Sequence, residues 1–295
     1  MQALVDQFLD YLTLERALSP NTREAYAQDL SAFTTFLAAR KIATLNGVTR
    51  KIIMDFLMHE KDRGLASTSL SRRLVALRVF FRYLQQEGLL AANVTETMDS
   101  PKLWRNLPVT LTIKDVERMI QAPDTEKKRG LRDRAILETL YGAGLRASEL
   151  TGLTLDDLHF DAGYIRCLGK GSKERLVPLG KSAAEAVKNY ISIERVNTKG
   201  AQETRCVFLS QRGKPLTRFG LFQLIKRYAQ AAGLDHSVHP HTLRHSFATH
   251  LLSNQAPLRV IQEMLGHADI GTTQIYTHVD ATRLKSVHAK FHPRA

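Results

Sequence analysis

The chain has 295 residues, 43% of them hydrophobic and 24% charged, which suits a soluble globular protein of two ordinary domains and excludes disordered and fibrous classes. Its formal net charge of +13 favours a polyanionic partner, because each phosphate neutralised releases condensed counterions. The excess is uneven: residues 1–100 hold twelve Lys and Arg against eleven Asp and Glu, whereas residues 101–295 hold thirty against eighteen.

Residues 1–98 carry helical signals throughout. Ser19-Pro20-Asn21-Thr22 is a helix start, with a capping hydroxyl and proline at the first helical position. Tyr26, Leu30, Phe33, Phe36 and Leu37 follow at helical spacing. A second start at Ser67-Thr68-Ser69 opens a helix with the apolar face Leu70, Leu74, Leu77, Phe81 and Leu84. Ser71, Arg78 and Arg82 line its opposite face. With Arg72 and Arg73 this helix is expected to concentrate positive charge while acids lie elsewhere, a DNA-facing surface if DNA is the partner. Ser100–Pro108 contains two prolines and a basic, nonhelical stretch, so residues 99–110 are expected to link this domain to a second one at 111–295.

In the second domain helical patterns resume at Thr112–Gln121 and Leu131–Tyr141, and again from Thr217 onward. Tyr164–Leu168 and Arg175–Leu179 are strand-like runs around Gly169-Lys170-Gly171-Ser172-Lys173, a hairpin signal. The fold class expected is mainly α: an all-helical N-terminal domain and an α-rich second domain with a small antiparallel sheet. No apolar run approaches the roughly 20 residues a bilayer demands. An anionic membrane surface fits less well than nucleic acid, since no basic amphipathic helix carries exposed Trp or Phe. The first residues lack a basic stretch leading into an apolar one, so no signal peptide and a cytoplasmic location are expected. Cys167 and Cys206 offer neither metal spacing nor a disulfide framework.

Several short strings invite chemistry. Gly169-Lys170-Gly171 lacks the spacing and the Ser or Thr of a phosphate loop, which leaves a lysine at a hairpin tip with Lys173 and Arg175 beside it. His241 and His245 have the i, i+4 spacing of a metalloprotease helix, but Thr242 stands where that motif needs Glu and no cysteine is near. His241 and Arg244, three apart, can instead present two donors to one anion. Gly142–Leu150 puts Arg146 at the first turn of a new helix, with Glu149 placed to brace it. Leu265–His278 contains His267 and Tyr276. Each string alone has a structural explanation. Together Arg146, Lys170, His241, Arg244, His267 and Tyr276 can run phosphoryl transfer by positioning and electrostatics. Two guanidiniums hold a phosphodiester, a tyrosine attacks phosphorus and a lysine protonates the departing sugar oxygen, with no need of metal or ATP. Tyrosine ionises near pH ~10, so Tyr276 needs its proton removed or its oxyanion stabilised. His241 is the better candidate for that base, and His267 for a hydrogen bond to a nonbridging oxygen.

This series, Arg, Lys, His-x-x-Arg, His, Tyr, resembles the signature of the tyrosine recombinases, the integrase family that shares chemistry with type IB topoisomerases. Ala143-Gly144-Leu145-Arg146 departs from the family's Thr-Gly-Leu-Arg at one noncatalytic position. Gly169–Leu179, His241–Leu252, Leu265–Val279 and the closing His292-Pro293-Arg294-Ala295 are similar to the Xer branch, and the resemblance spans essentially the whole chain. It implies a SAM-like core-binding domain and a catalytic domain forming a C-shaped clamp on half of a recombination site. It further implies a 3′-phosphotyrosyl link at Tyr276, no cofactor, and a tetramer that can include a second, related chain. Its implied work is resolving chromosome or plasmid dimers at cell division, activated by a septal DNA translocase. Phage and transposon integrases often carry an extra N-terminal domain, for which the early first helix leaves no room, and a silent DNA-binding protein would not fill all six positions. Val279–His288 has helical character, and Phe291 near the chain end needs a pocket on its own domain or a neighbour's. The resemblance implies the neighbour's.

Overall fold

The structure is a computed structural model, and it describes residues 1–14, 19–96, 98, 110–168, 174–235, 237–266 and 278–295. It divides into two compact units, Met1–Asn106 and Leu107–Ala295. The expected linker at 99–110 lies outside the described residues except for Thr110.

The first unit is helical. Helix α1 (Gln2–Leu14) buries Val5, Phe8, Leu9 and Leu12, one face of a 3.6-residue period. Helix α2 (Pro20–Ala39) begins where Ser19 Oγ accepts the Thr22 amide and Pro20 occupies the first turn. Helix α3 (Arg50–Asp62) is capped by Thr49. Helix α4 (Ser67–Gln86) starts at the expected place, although Ala66 precedes it with no side-chain cap. Their apolar faces meet in an aromatic core, in which Phe8–Phe80 and Phe33–Phe56 pack edge to face at 5.2 and 5.1 Å.

The arginines of α4 do not form one exposed stripe. Arg73 turns inward and pairs with Asp29, at 3.2 Å, and with Glu60, both acids being buried. Arg72 lies 3.0 Å from Asp29 Oδ2 and donates to the Ala25 carbonyl. Acids therefore lie directly against two of the four expected DNA contacts. Arg73 is an internal ion-pair partner, Arg78 is half-buried, and Arg82 is exposed. Helix geometry explains the split: Arg73 is rotated by about 140° from Arg78 and about 180° from Arg82.

The second unit is built around helix α6 (Gly130–Gly142), buried along nearly its whole length, as a central rather than a surface helix must be. Helix α5 (Ile113–Gln121) opens with a capping box, Thr112 and Asp115 each accepting the other's amide. After the short helix α7 (Ala147–Gly152) come the strands β1 (Leu158–His159), β2 (Tyr164–Leu168) and β3 (Glu174–Pro178). They form one antiparallel sheet in the order β1-β2-β3, with Cys167 opposite Arg175 in the β2–β3 register. The hairpin tip, residues 169–173, lies outside the described residues. Helix α8 (Lys181–Asn189) continues into a π-helical turn at Tyr190–Arg195. Helices α9 (Arg218–Ala231), α10 (Pro240–Ser253), α11 (Leu258–Leu265) and α12 (His278–Phe291) complete the unit. Cys167 is a buried and Cys206 a half-buried free thiol.

The chain end packs at home. Leu284, His288 and His292 are buried in the second unit, the His292 ring lies 4.8 Å from Tyr141 and 5.2 Å from Phe247, and Phe291 is half-buried against the same core. Asn254 donates to the Phe291 carbonyl and Arg294 forks onto the Glu138 carboxylate. Of the two pockets expected for Phe291, its own domain supplies a surface.

Candidate active site

Three side chains, from the turn after α6, from β3 and from α10, converge on one buried carboxylate of α7. The turn is shaped by Gly144, at φ +56°, where an added Cβ would stand 2.6 Å from the Phe247 ring. No other residue fits both the left-handed backbone and the close approach. The turn delivers Arg146 in extended conformation just before α7, where its amide donates to Glu149 Oε2 and its Nη1 to Glu149 Oε1, each at 2.8 Å. From β3, Arg175 donates to both Glu149 oxygens at 2.6 and 2.7 Å. From α10, Arg244 reaches within 3.8 Å of Glu149 Oε2 and donates to the Gly144 carbonyl at 2.7 Å. Three guanidiniums around one carboxylate leave formal charge +2, a standing attraction for an anion.

The same three arginines grip the end of α11. Arg175 Nε donates to Met264 O at 3.0 Å, Arg244 Nη2 to Leu265 O, and Arg146 Nη2 to Gly266 O at 2.9 Å. Carbonyls at a helix C-terminus lack helical partners and carry the negative end of the dipole, so cations satisfy them. Gly266 caps the helix at φ +64°, and an added Cβ would meet Arg175 Cδ at 2.8 Å. His267 is the next residue of the chain.

Burial by itself raises the Glu149 carboxyl, but the hydrogen bonds and charge of Arg175, followed by the hydrogen bonds of Arg146, outweigh it and hold it at about 2. Burial, then the charge of Arg146, lowers the Arg244 guanidinium to about 10, still a cation at neutral pH. His241 is exposed in the first turn of α10, three residues before Arg244. Arg175, expected to face DNA, is corrected: it is 4% exposed and braces Glu149 and α11 from inside. Lys170, Lys173, His267 and Tyr276 lie outside the described residues, so the structure brings together Arg146, Glu149 and Arg244, with Arg175 in a different role.

The other histidines of α10 serve packing or solvent. His239 caps the helix by accepting the Thr242 amide, His245 is exposed, and His250 bonds the Tyr141 hydroxyl at 2.8 Å and the Leu111 carbonyl at 2.9 Å. Among the described residues no three His, Cys, Asp or Glu side chains converge as a metal site, and no helix is long and apolar enough to cross a membrane.

The larger unit of this helical chain thus gathers fixed arginines at a site that attracts an anion. The pattern of the phage integrase family matches residues 110–283, and that of the phage integrase N-terminal SAM-like domain matches residues 5–88. The chain therefore belongs to the phage integrase family, the tyrosine recombinases. Among curated relatives, the tyrosine recombinase XerD of Halalkalibacterium halodurans is 44% identical over 292 residues, covering 99% of this chain and 98% of that protein. XerD of Pseudomonas putida is 47% identical over 291 residues, covering 99% and 97%. Among solved structures, XerH recombinase in a post-cleavage complex with palindromic difH substrate is 25% identical, with TM-score 0.71 and coverage of 97% of this chain and 84% of that one. Lambda integrase on a core site shares the fold at 21% identity and TM-score 0.71, covering 94% and 97%.

Proposed function

We propose that this site-specific tyrosine recombinase uses Arg146 and Arg244 to hold the scissile phosphate and Tyr276 to attack it. The observation that carries the reading is the convergence of both arginines on Glu149 and on the end of α11, which makes a rigid cationic seat immediately before His267 in the chain. The Tyr276 oxygen bonds to phosphorus, the bond to the 5′ oxygen breaks, and the 3′ end remains on the enzyme as a phosphotyrosyl ester. His241 takes the tyrosine proton, Lys170 protonates the departing 5′ oxygen, and His267 donates to a nonbridging oxygen. A partner strand's hydroxyl reverses the step, so the bond energy is conserved and no cofactor enters. The arginines give most to the transition state, where the phosphorane carries extra charge.

The partners of this reading are double-stranded DNA and further recombinase subunits in a tetramer, which can include an XerC-like chain, with a septal DNA translocase as activator. The setting is chromosome partition during the cell cycle, in the cytoplasm. The match along nearly the full length of XerD relatives supports this assignment over phage and transposon integration. The decisive experiment incubates the protein with a labelled recombination site nicked beside the scissile phosphate, then runs denaturing electrophoresis. A retarded adduct on the 3′ end is expected. Free DNA alone would remove the nucleophilic mechanism.

Two further outcomes separate the roles. Lys170→Ala should slow cleavage of a normal phosphodiester by about 10²–10⁴-fold, yet leave a 5′-thio substrate nearly unaffected, because a thiolate departs without protonation. Equal loss on both substrates makes Lys170 a DNA-positioning residue. In the first unit, Arg82→Ala should weaken DNA binding and lower its salt slope by about 1 without changing thermal stability. Arg73→Ala should instead destabilise that unit by about 3–5 kcal/mol, since Asp29 and Glu60 lose their buried partner. If Arg73→Ala melts like the parent, the ion-pair assignment is wrong.

A further inference from the structure

We infer that His288 is a positioning residue of the reaction, tying the helix that follows Tyr276 to the turn that carries Arg146. The inference rests on the active-site reading above.

His288 sits on α12, 2% exposed, with its Nε2 2.7 Å from the Gly142 carbonyl. A carbonyl only accepts, so Nε2 carries the proton and the tautomer is fixed. Burial lowers the His288 pKa, although its bond to Gly142 opposes this, which keeps the ring neutral. Gly142 is the last residue of α6, and its carbonyl is one of the final four that have no helical donor. His288 supplies that donor from an element 146 residues away in the chain. Four residues after Gly142 comes Arg146.

The turn between them is fixed from two sides. Helix α10 presses the Phe247 ring onto Gly144 and binds the Gly144 carbonyl through Arg244. Helix α12 holds Gly142 through His288, whose ring stacks on His292 at 4.6 Å and 12° and lies 6.3 Å from Phe247. Helix α12 begins at His278, two residues after Tyr276. One imidazole thus links the segment leading from the nucleophile to the segment leading to a phosphate-binding arginine. Displacements of about 1 Å at such a site cost roughly 10²-fold in rate, so a lost tie in this position is expected to act on chemistry without touching substrate.

The test compares His288→Phe and His288→Gln with the parent on a nicked half-site at saturating DNA, measuring adduct formation, DNA affinity and melting temperature. Gln places an amide nitrogen near the Nε2 position and keeps the donor, whereas Phe keeps the ring and loses it. His288→Phe is expected to form adduct at least about tenfold more slowly with unchanged affinity, and His288→Gln to recover most of the rate. A methylphosphonate at the scissile position makes the assay specific. That substrate lacks the charge Arg146 stabilises, so the penalty of His288→Phe should shrink on it if His288 acts through Arg146. A penalty equal on both substrates, or one that follows melting temperature, reduces His288 to a packing residue and overturns the inference. Should His288→Phe fail to fold, His288→Asn, whose amide is too short to reach Gly142, takes its place against Gln with the same outcomes. Absence of adduct in the parent itself would instead overturn the active-site reading.

Discussion

Tyr276→Phe is expected to bind its DNA site as tightly as the parent and to form no covalent adduct, a loss on the order of 10⁴-fold or more in cleavage. Only the attacking oxygen is removed, so the arginine seat and the DNA contacts stay as they are. The other tyrosines of the catalytic unit are poor substitutes. Tyr141 is 1% exposed with its hydroxyl bound to His250, and burial raises its pKa far above the ordinary phenol value. Burial pushes Tyr190 up to about 12, and its hydroxyl accepts the Leu209 amide. Tyr228 is also pushed up to about 12, by burial and then by the charge of Asp133, to which its hydroxyl donates at 2.8 Å. Tyr164 is half-buried on β2, beside the His159 ring. A residual adduct would be mapped by digestion and mass spectrometry, and assignment to any of these four would move the nucleophile away from Tyr276.

Two kinds of element are legible in the sequence: those whose ends carry local chemistry, and those, such as α4, whose apolar period runs unbroken. Ser19-Pro20, Thr112 and Thr217 each open a helical pattern in the sequence, and each caps a helix. The β2–β3 hairpin is equally plain, because alternation and glycine punctuation lie within a dozen residues. Helix α8 is not, although Ala183, Val187 and Tyr190 have helical spacing. Gly180 offers no capping side chain, and the π turn at Tyr190–Arg195 stretches the period just where a longer repeat would have shown. Strand β1, two residues long, has no period at all.

The candidate site divides along the same line between local and distant information. Arg146 with Glu149, and His241 with Arg244, are three apart and read as pairs. Arg175 does not, since Glu149 is 26 residues away and Met264 is 89, and neither partner leaves a trace beside it. Locally Arg175 is one more cation near a basic hairpin tip. Arg73 misleads for a different reason, because its helical phase already separates it from Arg78 and Arg82, but Asp29 and Glu60 reach it from α2 and α3. Among the sequence's tyrosines, Tyr228 is easily passed over because it sits between two basic residues and an alanine in an ordinary amphipathic helix. Its bond to Asp133 is 95 residues distant.

Glu149→Gln should damage stability and catalysis together, because one carboxylate neutralises Arg175 and orients Arg146. The substitution preserves shape and removes charge, taking from the buried Arg175 guanidinium the carboxylate on which it forks. Breaking such a pair costs about 3–5 kcal/mol, which for a unit of this size lowers the melting temperature by about 2–4 °C per kcal/mol. The pH dependence has a definite sign. The Glu149 carboxyl is held at about 2, below its ordinary 4.5, so the folded state favours the ionised form. Its contribution, about 3 kcal/mol, is fully present above pH 4.5 and is lost as pH falls from there toward 2. The parent's stability should therefore fall across that window more steeply than that of Glu149→Gln, which has no carboxyl to protonate. A double substitution, Glu149→Gln with Arg175→Met, should regain part of the stability, since the buried charge is gone, but not the cleavage rate, since Arg146 is still unbraced. Thermal melts from pH 2 to 7 and single-turnover cleavage at neutral pH measure all three proteins. A Glu149→Gln protein that melts with the parent and keeps the parent's acid slope would mean that the arginines are held by α11 alone, and that Glu149 contributes nothing the helix end does not already supply.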